Sequence, residues 1–437
     1  MTGNKVARLA KAPLRSWQDG IAPVRLAKRA DSWQIAAPCR SEFVKRPDSI
    51  EPMSPARTVL ILSLAPAIGL GIGRFAYSLV LPDMRDSLAW SYSTAGFMNT
   101  VNAAGYLAGA LGGAMFVRKF GLFRTVSLGV LMSIVSLIIC ALTGNFLALS
   151  FARILVGYGA AISFVGGGAL AATIAQTYPE RSALLLSLFY TGPGLGLIVS
   201  GLVSPFLLQH FGPGSWWIVW AALAAISTLM AIPLLMNPMD TPPPESAAAS
   251  AHVSLKPMMI FLIAYFIFGA GYIAYMTFMI AYVRDAGGSA AAQSAFWCLI
   301  GVGAFASPWI WRRLMAKGDN GITMGVIMSV LTIGAGLAMI GATPLWLAAS
   351  ALVFGNSFFA VVTATTAFSR LNYPPAQWPK VIGIMTITFG LGQTLGPFAT
   401  GAITDATGSL SYALNFSVAL LAVGAVLAFF QKSLRQK

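Results

Sequence analysis

The sequence predicts an all-α polytopic membrane protein, with twelve transmembrane helices in two pseudo-symmetric six-helix bundles. Three observations carry this expectation. Of 437 residues, 57% are hydrophobic and only 9% charged, whereas soluble domains average roughly a quarter charged residues. Apolar runs of about 20 residues, the length that crosses a hydrocarbon core of about 30 Å, recur from Thr58 onward. The last six runs repeat features of the first six at a constant offset of 198 residues. The runs are continuous rather than alternating, which selects helices over barrel strands.

Taken in chain order, residues 1–57 come first, with 11 Lys/Arg, five Asp/Glu and no run long enough to span. They lack a signal-peptide core. Small apolar and basic residues alternate from Ala7 to Arg29, a pattern compatible with a weak surface-lying helix. The composition otherwise predicts a disordered tail, or a coding start set too early with Met53 as the true one. Six spans follow, at 58–82, 92–117, 123–143, 147–176, 182–208 and 215–236. Residues 237–256 then interrupt the pattern with Pro238, Pro242, Pro243 and Pro244, the mark of a flexible linker. Six more spans occupy 257–283, 291–311, 321–341, 344–369, 380–404 and 410–430, and 431–437 form a short basic tail. The bundles are therefore expected at 58–236 and 257–430.

Charge placement sets the orientation. If the tail is cytoplasmic, inside segments after it carry thirteen Lys/Arg, including Arg118, Lys119, Arg124, Arg181, Arg312, Arg313 and Arg370. Outside segments carry only Arg85 and Arg284. That bias predicts an inner-membrane protein with both termini cytoplasmic. It also disposes of nucleic-acid binding, which the net charge of +15 would otherwise suggest, because the charge is an orientation signal.

The repeat is visible in Gly71/Gly269, Gly73/Gly271, Ala76/Ala274 and Tyr77/Tyr275, and further along in Gly105/Gly303 and Gly157/Gly355. Internal repeats of this kind place a substrate site at the repeat interface near the midplane. At these residues the chain resembles the major facilitator superfamily, over 58–430. The turn Arg118-Lys119-Phe120-Gly121-Leu122-Phe123-Arg124 is similar to that superfamily's cytoplasmic loop signature, with Arg118 where the signature usually has Asp. Arg153-Ile-Leu-Val-Gly157-Tyr-Gly159 is similar to its fourth-span pattern, and Gly192-Pro193-Gly194 to the fifth-span motif of antiporters. The stretch from Gly69 to Tyr77, leading to Leu81-Pro82-Asp83, resembles the first span of YbfB/YjiJ-type transporters. The resemblance implies that spans one, four, seven and ten surround a central cavity, and that Arg153, Gly192 and Pro193 serve coupling or gating.

Two arginines lie inside spans. Arg74, about eight residues short of the end of the first span, is the expected substrate anchor, since a charge at that depth normally faces a cavity or a partner. Structural alternatives are snorkelling or pairing with Asp83. Arg153 either assists coupling or bonds neighbouring carbonyls. All thirteen acids lie in the tail, loops or span ends, and if the protein couples to protons, Asp83 beside Arg74 is the best candidate. Tyr77 and Tyr275 are expected to hydrogen-bond a solute between the halves, or else to sit at the interface. Asn356 and Gln393 are further substrate candidates, or bond across helices as packing polar groups.

The expected function is secondary transport of a small organic solute, anionic or neutral, by a monomer without a cofactor; proton coupling is possible. Multidrug or sugar efflux by proton antiport is the alternative. Cys39, Cys140 and Cys298 lie far apart, and His210 and His252 fall on opposite sides of the membrane, so neither a metal cluster nor an embedded enzyme is supported. A non-transporting sensor would need a soluble domain that is not visible. Gly71-x-Gly73-x-x-Ala76 matches a dinucleotide fingerprint only formally, because no strand precedes it.

Overall fold

A computed structural model describes residues 54–239, 253–316, 318–374 and 377–434. The N-terminal tail up to Met53, most of the Pro-rich linker and the last three residues lie outside the described residues. The twelve spans are α1 (Pro55–Ser87), α2 (Tyr92–Phe120), α3 (Leu122–Leu142), α4 (Phe146–Gln176), α5 (Pro179–Phe211), α6 (Trp216–Leu235), α7 (Lys256–Asp285), α8 (Ala290–Met315), α9 (Ile322–Ile340), α10 (Pro344–Asn372), α11 (Lys380–Thr407) and α12 (Leu410–Phe429). Among the described residues the count of twelve spans agrees with the hydropathy reading. The largest difference is at α1, which runs five residues beyond the expected end at 82. Charged Asp83, Arg85 and Asp86 end the apolar run without ending the helix, because backbone hydrogen bonding continues past the hydrocarbon.

The ends of the spans define two faces. One collects Arg118, Lys119, Arg124, Arg312 and Arg313 and is called here the basic face. The opposite face carries Asp83, Asp86, Asp285 and Asp405.

The sequence repeat is a packing repeat. A Cβ on Gly105 would strike the Ile154 carbonyl, and one on Gly303 the Leu352 carbonyl. Likewise Gly157 abuts the Asn102 carbonyl and Gly355 the Ile300 carbonyl. Each pair maps onto the other at the same 198-residue offset, so α2/α4 and α8/α10 cross in the same way. Without a hydrophobic drive between helices in lipid, such small-residue contacts let backbones approach closely enough for dispersion to hold them. The α3–α4 and α9–α10 contacts repeat too: Ser136 Oγ donates to the Ala152 carbonyl, and Ser350 Oγ, at the position equivalent to Ala152, donates to that of Gly334, each at 2.6 Å.

The bundles meet along α2–α11 and α5–α8. Thr100 Oγ1 donates to the Thr394 carbonyl (2.7 Å), Trp297 Nε1 to Ser200 (3.3 Å), and Ser78 Oγ to the Met276 carbonyl (2.5 Å). At the opposite face Arg284 pairs with Asp86 at 2.8 Å, and Tyr92 Oη donates to Asp285 at 3.0 Å. Asp405 of α11 accepts from the Tyr92 and Ser93 amides at 2.9 and 2.8 Å. A carboxylate from one bundle thus caps the N-terminus of a helix in the other, where the helix dipole favours negative charge. These ties lie in the half of the spans nearer the opposite face.

α1 is not a regular helix. Residues Ala67–Arg74 form a π-helical segment, seen in the Phe75 amide bonding the Leu70 carbonyl at 3.1 Å. A turn at Phe75–Ala76 precedes the regular helix Tyr77–Ser87. Pro66 removes a backbone donor at the start of the segment, and Gly71 lets α5 approach so closely that a Cβ would meet Gly196 Cα at 2.5 Å. Such π segments are frequent at functional sites.

Candidate functional site

The break in α1 exposes backbone carbonyls within the bundle, and a buried cation meets them. Arg153, 2% exposed, donates from Nη1 to the Gly73 carbonyl (2.8 Å) and from Nη2 to the Arg74 carbonyl (3.0 Å) and Asn99 Oδ1 (3.2 Å). Its guanidinium lies 4.8 Å from the Tyr77 ring centroid. Asn99 in turn donates to Thr277 Oγ1 of α7 at 2.6 Å. Of the two alternatives for Arg153, the geometry displays the carbonyl-bonding one, and its carbonyls are those that set the position of Arg74.

Arg74 itself turns toward the other bundle. Its Nη2 donates to Gln393 Oε1 of α11, and Tyr272 Oη of α7 donates to the same oxygen at 2.9 Å. The Arg74 guanidinium lies over the Tyr106 ring at 4.5 Å. These four residues share one depth: Arg74 and Tyr272 lie thirteen residues, and Tyr106 and Gln393 fourteen, from the ends of their spans at the opposite face. With spans of 28 to 33 residues, that is near the middle of each. Arg74 is 2% and Gln393 0% exposed, and Arg74 Nε and Gln393 Nε2 have no hydrogen-bond partner. Among the described residues the ion pairs involve Arg85 and Arg284 at the opposite face, not Arg74. A buried cation whose neighbours are an amide, a phenol and rings, with donors left over, is arranged to receive acceptor atoms.

The other sequence candidates sit elsewhere. The pair Tyr77/Tyr275 does not face across the bundle interface: Tyr77 Oη donates to the Ala95 carbonyl (2.8 Å), and Tyr275 Oη bonds Ser350 (2.5 Å) while its ring stacks on Phe354 at 4.2 Å. Each hydroxyl is consumed inside its own bundle, which corrects the expectation of a shared solute contact. Asp83 is likewise not beside Arg74. Its carboxylate accepts from the Gly214 and Trp216 amides at 2.8 and 2.9 Å, capping the start of α6, so a structural bond occupies the coupling candidate. Asn356 accepts from Trp311 Nε1 at 3.1 Å and donates to the Leu352 carbonyl, on the α8–α10 contact rather than beside Arg74. Gly192 and Pro193 start a helix at the Thr191 turn, and a Cβ on Gly192 would strike the Ser63 carbonyl, so this motif packs α5 on α1. Arg118, Lys119 and Arg124 are exposed on the basic face, and Gly121, at φ 81°, supplies the left-handed turn between α2 and α3.

Tyr272 and Tyr106 were not singled out by sequence. The signal for Tyr272 was present: at the 198-residue offset it is the counterpart of Arg74. Tyr106 carries no comparable mark.

The model of a family described as "Uncharacterised MFS-type transporter YbfB" matches residues 66–429. "Inner membrane transport protein YdhP" of Escherichia coli (strain K12) is 23% identical over 353 residues, covering 78% of this chain and 87% of that protein. The "Hexuronate transporter" of Bacillus subtilis (strain 168) is 24% identical over 409 residues, covering 85% and 93% respectively. Among solved structures, the nucleoside transporter NupG superposes with a TM-score of 0.69 at 15% identity, covering 86% of this chain and all of that one. A D-xylose-proton symporter gives 0.69 at 13% identity, covering 88% and 98%.

Proposed function

Because this chain belongs to the YbfB-type family of major facilitator transporters, we propose that its solute is a small organic anion held by Arg74, Gln393 and Tyr272 between the two bundles. Secondary transport of a small solute is common to the family and its structural neighbours. What supports an anion is a mid-span guanidinium without an ion pair, whose own Nε and the neighbouring Gln393 Nε2 are both unmet donors. A lipophilic cation at the same place would meet charge repulsion with no carboxylate to offset it. The named solute of one relative, a hexuronate, is itself a carboxylate.

In this reading a single chain works by alternating access, with no cofactor. The positive-inside distribution makes the basic face cytoplasmic, with both termini on that side of the inner membrane. The ties through Asp86, Asp285 and Asp405 then hold the bundles together on the outer side. Release of those ties, with closure on the cytoplasmic side, presents Arg74 outward.

Flux of a panel of organic anions, sugars and cations through proteoliposomes tests the reading. Saturable flux of an anion class, lost in Arg74→Ala, is the expected outcome. Flux confined to cations, or anion flux unaltered by Arg74→Ala, refutes the anchor. Fluorescent-protein and phosphatase fusions after Lys437 test the orientation; phosphatase activity at that end refutes it.

A further inference from the structure

The anion site is walled by aromatic rings from both bundles. The Arg74 guanidinium carbon lies 4.5 Å from the centroid of Tyr106 and 5.6 Å from that of Phe75. On the other side Tyr272, which shares the Gln393 oxygen with Arg74, stacks nearly parallel on Phe268 (4.8 Å, 12°) and Phe389 (5.7 Å, 10°). Phe359 meets Phe75 edge-on across the interface at 6.2 Å and 75°. Most of these rings are buried and pack as core. Tyr106 and Phe359 are only half-buried, one in each bundle, and are the two of these residues that keep accessible surface.

We infer that the solute is a planar aromatic monocarboxylate. Its carboxylate oxygens accept from Arg74 Nε and Gln393 Nε2, the two donors left unmet, and its ring rests against Tyr106 and Phe359. A carboxylate supplies two acceptors to two donors, and charge-assisted bonds of this kind are the strong ones. A flat, rigid ring gains offset or edge contacts with aromatic walls and loses little internal freedom. A sugar acid presents a ring of hydroxyls instead, and aromatic faces offer those hydroxyls no strong partner. The inference rests on the anion reading above and adds the requirement for a flat ring.

Binding to the purified full-length protein in nanodiscs, measured by calorimetry, separates the two. The probes are benzoate, 1-naphthoate, cyclohexanecarboxylate, glucuronate and benzyl alcohol. The aromatic carboxylates are expected to bind about three- to tenfold more tightly than cyclohexanecarboxylate, the range that aromatic pairing supplies beyond area burial. Arg74→Gln abolishes binding of all carboxylates. Tyr106→Leu and Phe359→Leu lower the affinity for the aromatic carboxylates to that for cyclohexanecarboxylate. Equal affinity for benzoate and cyclohexanecarboxylate, or tighter binding of glucuronate, overturns the ring requirement and leaves the anion site standing. Absence of any Arg74-dependent carboxylate binding, or preferred binding of benzyl alcohol, overturns both. The selectivity of the unmodified protein decides the ring requirement even where a variant does not fold.

Discussion

Replacing Arg153 by methionine isolates what its guanidinium does at the break in α1. Three acceptors lose a donor: the carbonyls of Gly73 and Arg74 and the side-chain oxygen of Asn99. A buried acceptor left unmet costs about 1–3 kcal/mol in soluble proteins, whereas hydrogen bonds inside membrane proteins average only about 0.6 kcal/mol. Three acceptors at the membrane value give about 2 kcal/mol, and at the middle of the soluble range about 6. Removing the charge returns part of that, because Arg153 is itself buried with Nε unpartnered. A net loss of about 2–4 kcal/mol is therefore expected from R153M, measured by reversible unfolding in mixed micelles. R153K keeps the charge but lacks the fork that reaches two carbonyls and an amide together, so it loses nearly as much. Because the two carbonyls belong to Gly73 and Arg74 themselves, solute affinity falls with stability. Unchanged stability (within about 0.5 kcal/mol, the usual effect of a neutral surface change) together with wild-type affinity would refute the assignment of Arg153 to the α1 break.

Three further outcomes follow from the packing and the site. Gly355→Leu places side-chain atoms where a Cβ already lies 2.8 Å from Ile300 Cα; a loss of about 1–3 kcal/mol, read as reduced folded yield, is expected, while the same change at Gly383, which has no neighbour within 4 Å, is tolerated. Asp405→Ala removes the cap on α2, worth about 0.5–2 kcal/mol, and shifts the population away from the conformation closed at the opposite face; a Cys substituted for buried Ser78 then reacts faster with an impermeant maleimide, and an unchanged rate contradicts the role of this tie. Tyr272→Phe lowers solute affinity by about 0.5–1.5 kcal/mol through loss of a hydrogen bond, whereas Tyr77→Phe lowers stability and leaves affinity untouched; equal binding defects in the two variants would contradict the placement.

How much of the site was legible in the sequence depends on what each residue does. Arg74 stands out because a charge inside an apolar run is costly, and Gln393 because few strongly polar groups occur there. Asp83 lies away from Arg74 for a physical reason: proximity in sequence says nothing about a carboxylate whose acceptor geometry is satisfied by the amides at the start of a different helix, 131 and 133 residues on. The Tyr77/Tyr275 pair bonds inside each bundle because identity between repeats marks what both bundles need, which is internal packing. Repeat positions that differ, as Arg74 and Tyr272 do, are the ones suited to a single asymmetric solute.

The sequence by itself determined the membrane class, the twelve helices, their duplication and the face that carries the basic loops. Each of these is written in features that act along one chain: apolar length against bilayer thickness, a constant offset, and the sign of charge at span ends. Only the tertiary structure decided that α1 breaks at Phe75–Ala76, that Arg153 fills the break, and that Arg74 meets Gln393 and Tyr272 rather than Asp83. Those outcomes depend on which face each helix turns to its neighbours. Close glycine contacts set that rotation between residues hundreds of positions apart, and hydropathy, which sums along one segment at a time, does not carry it.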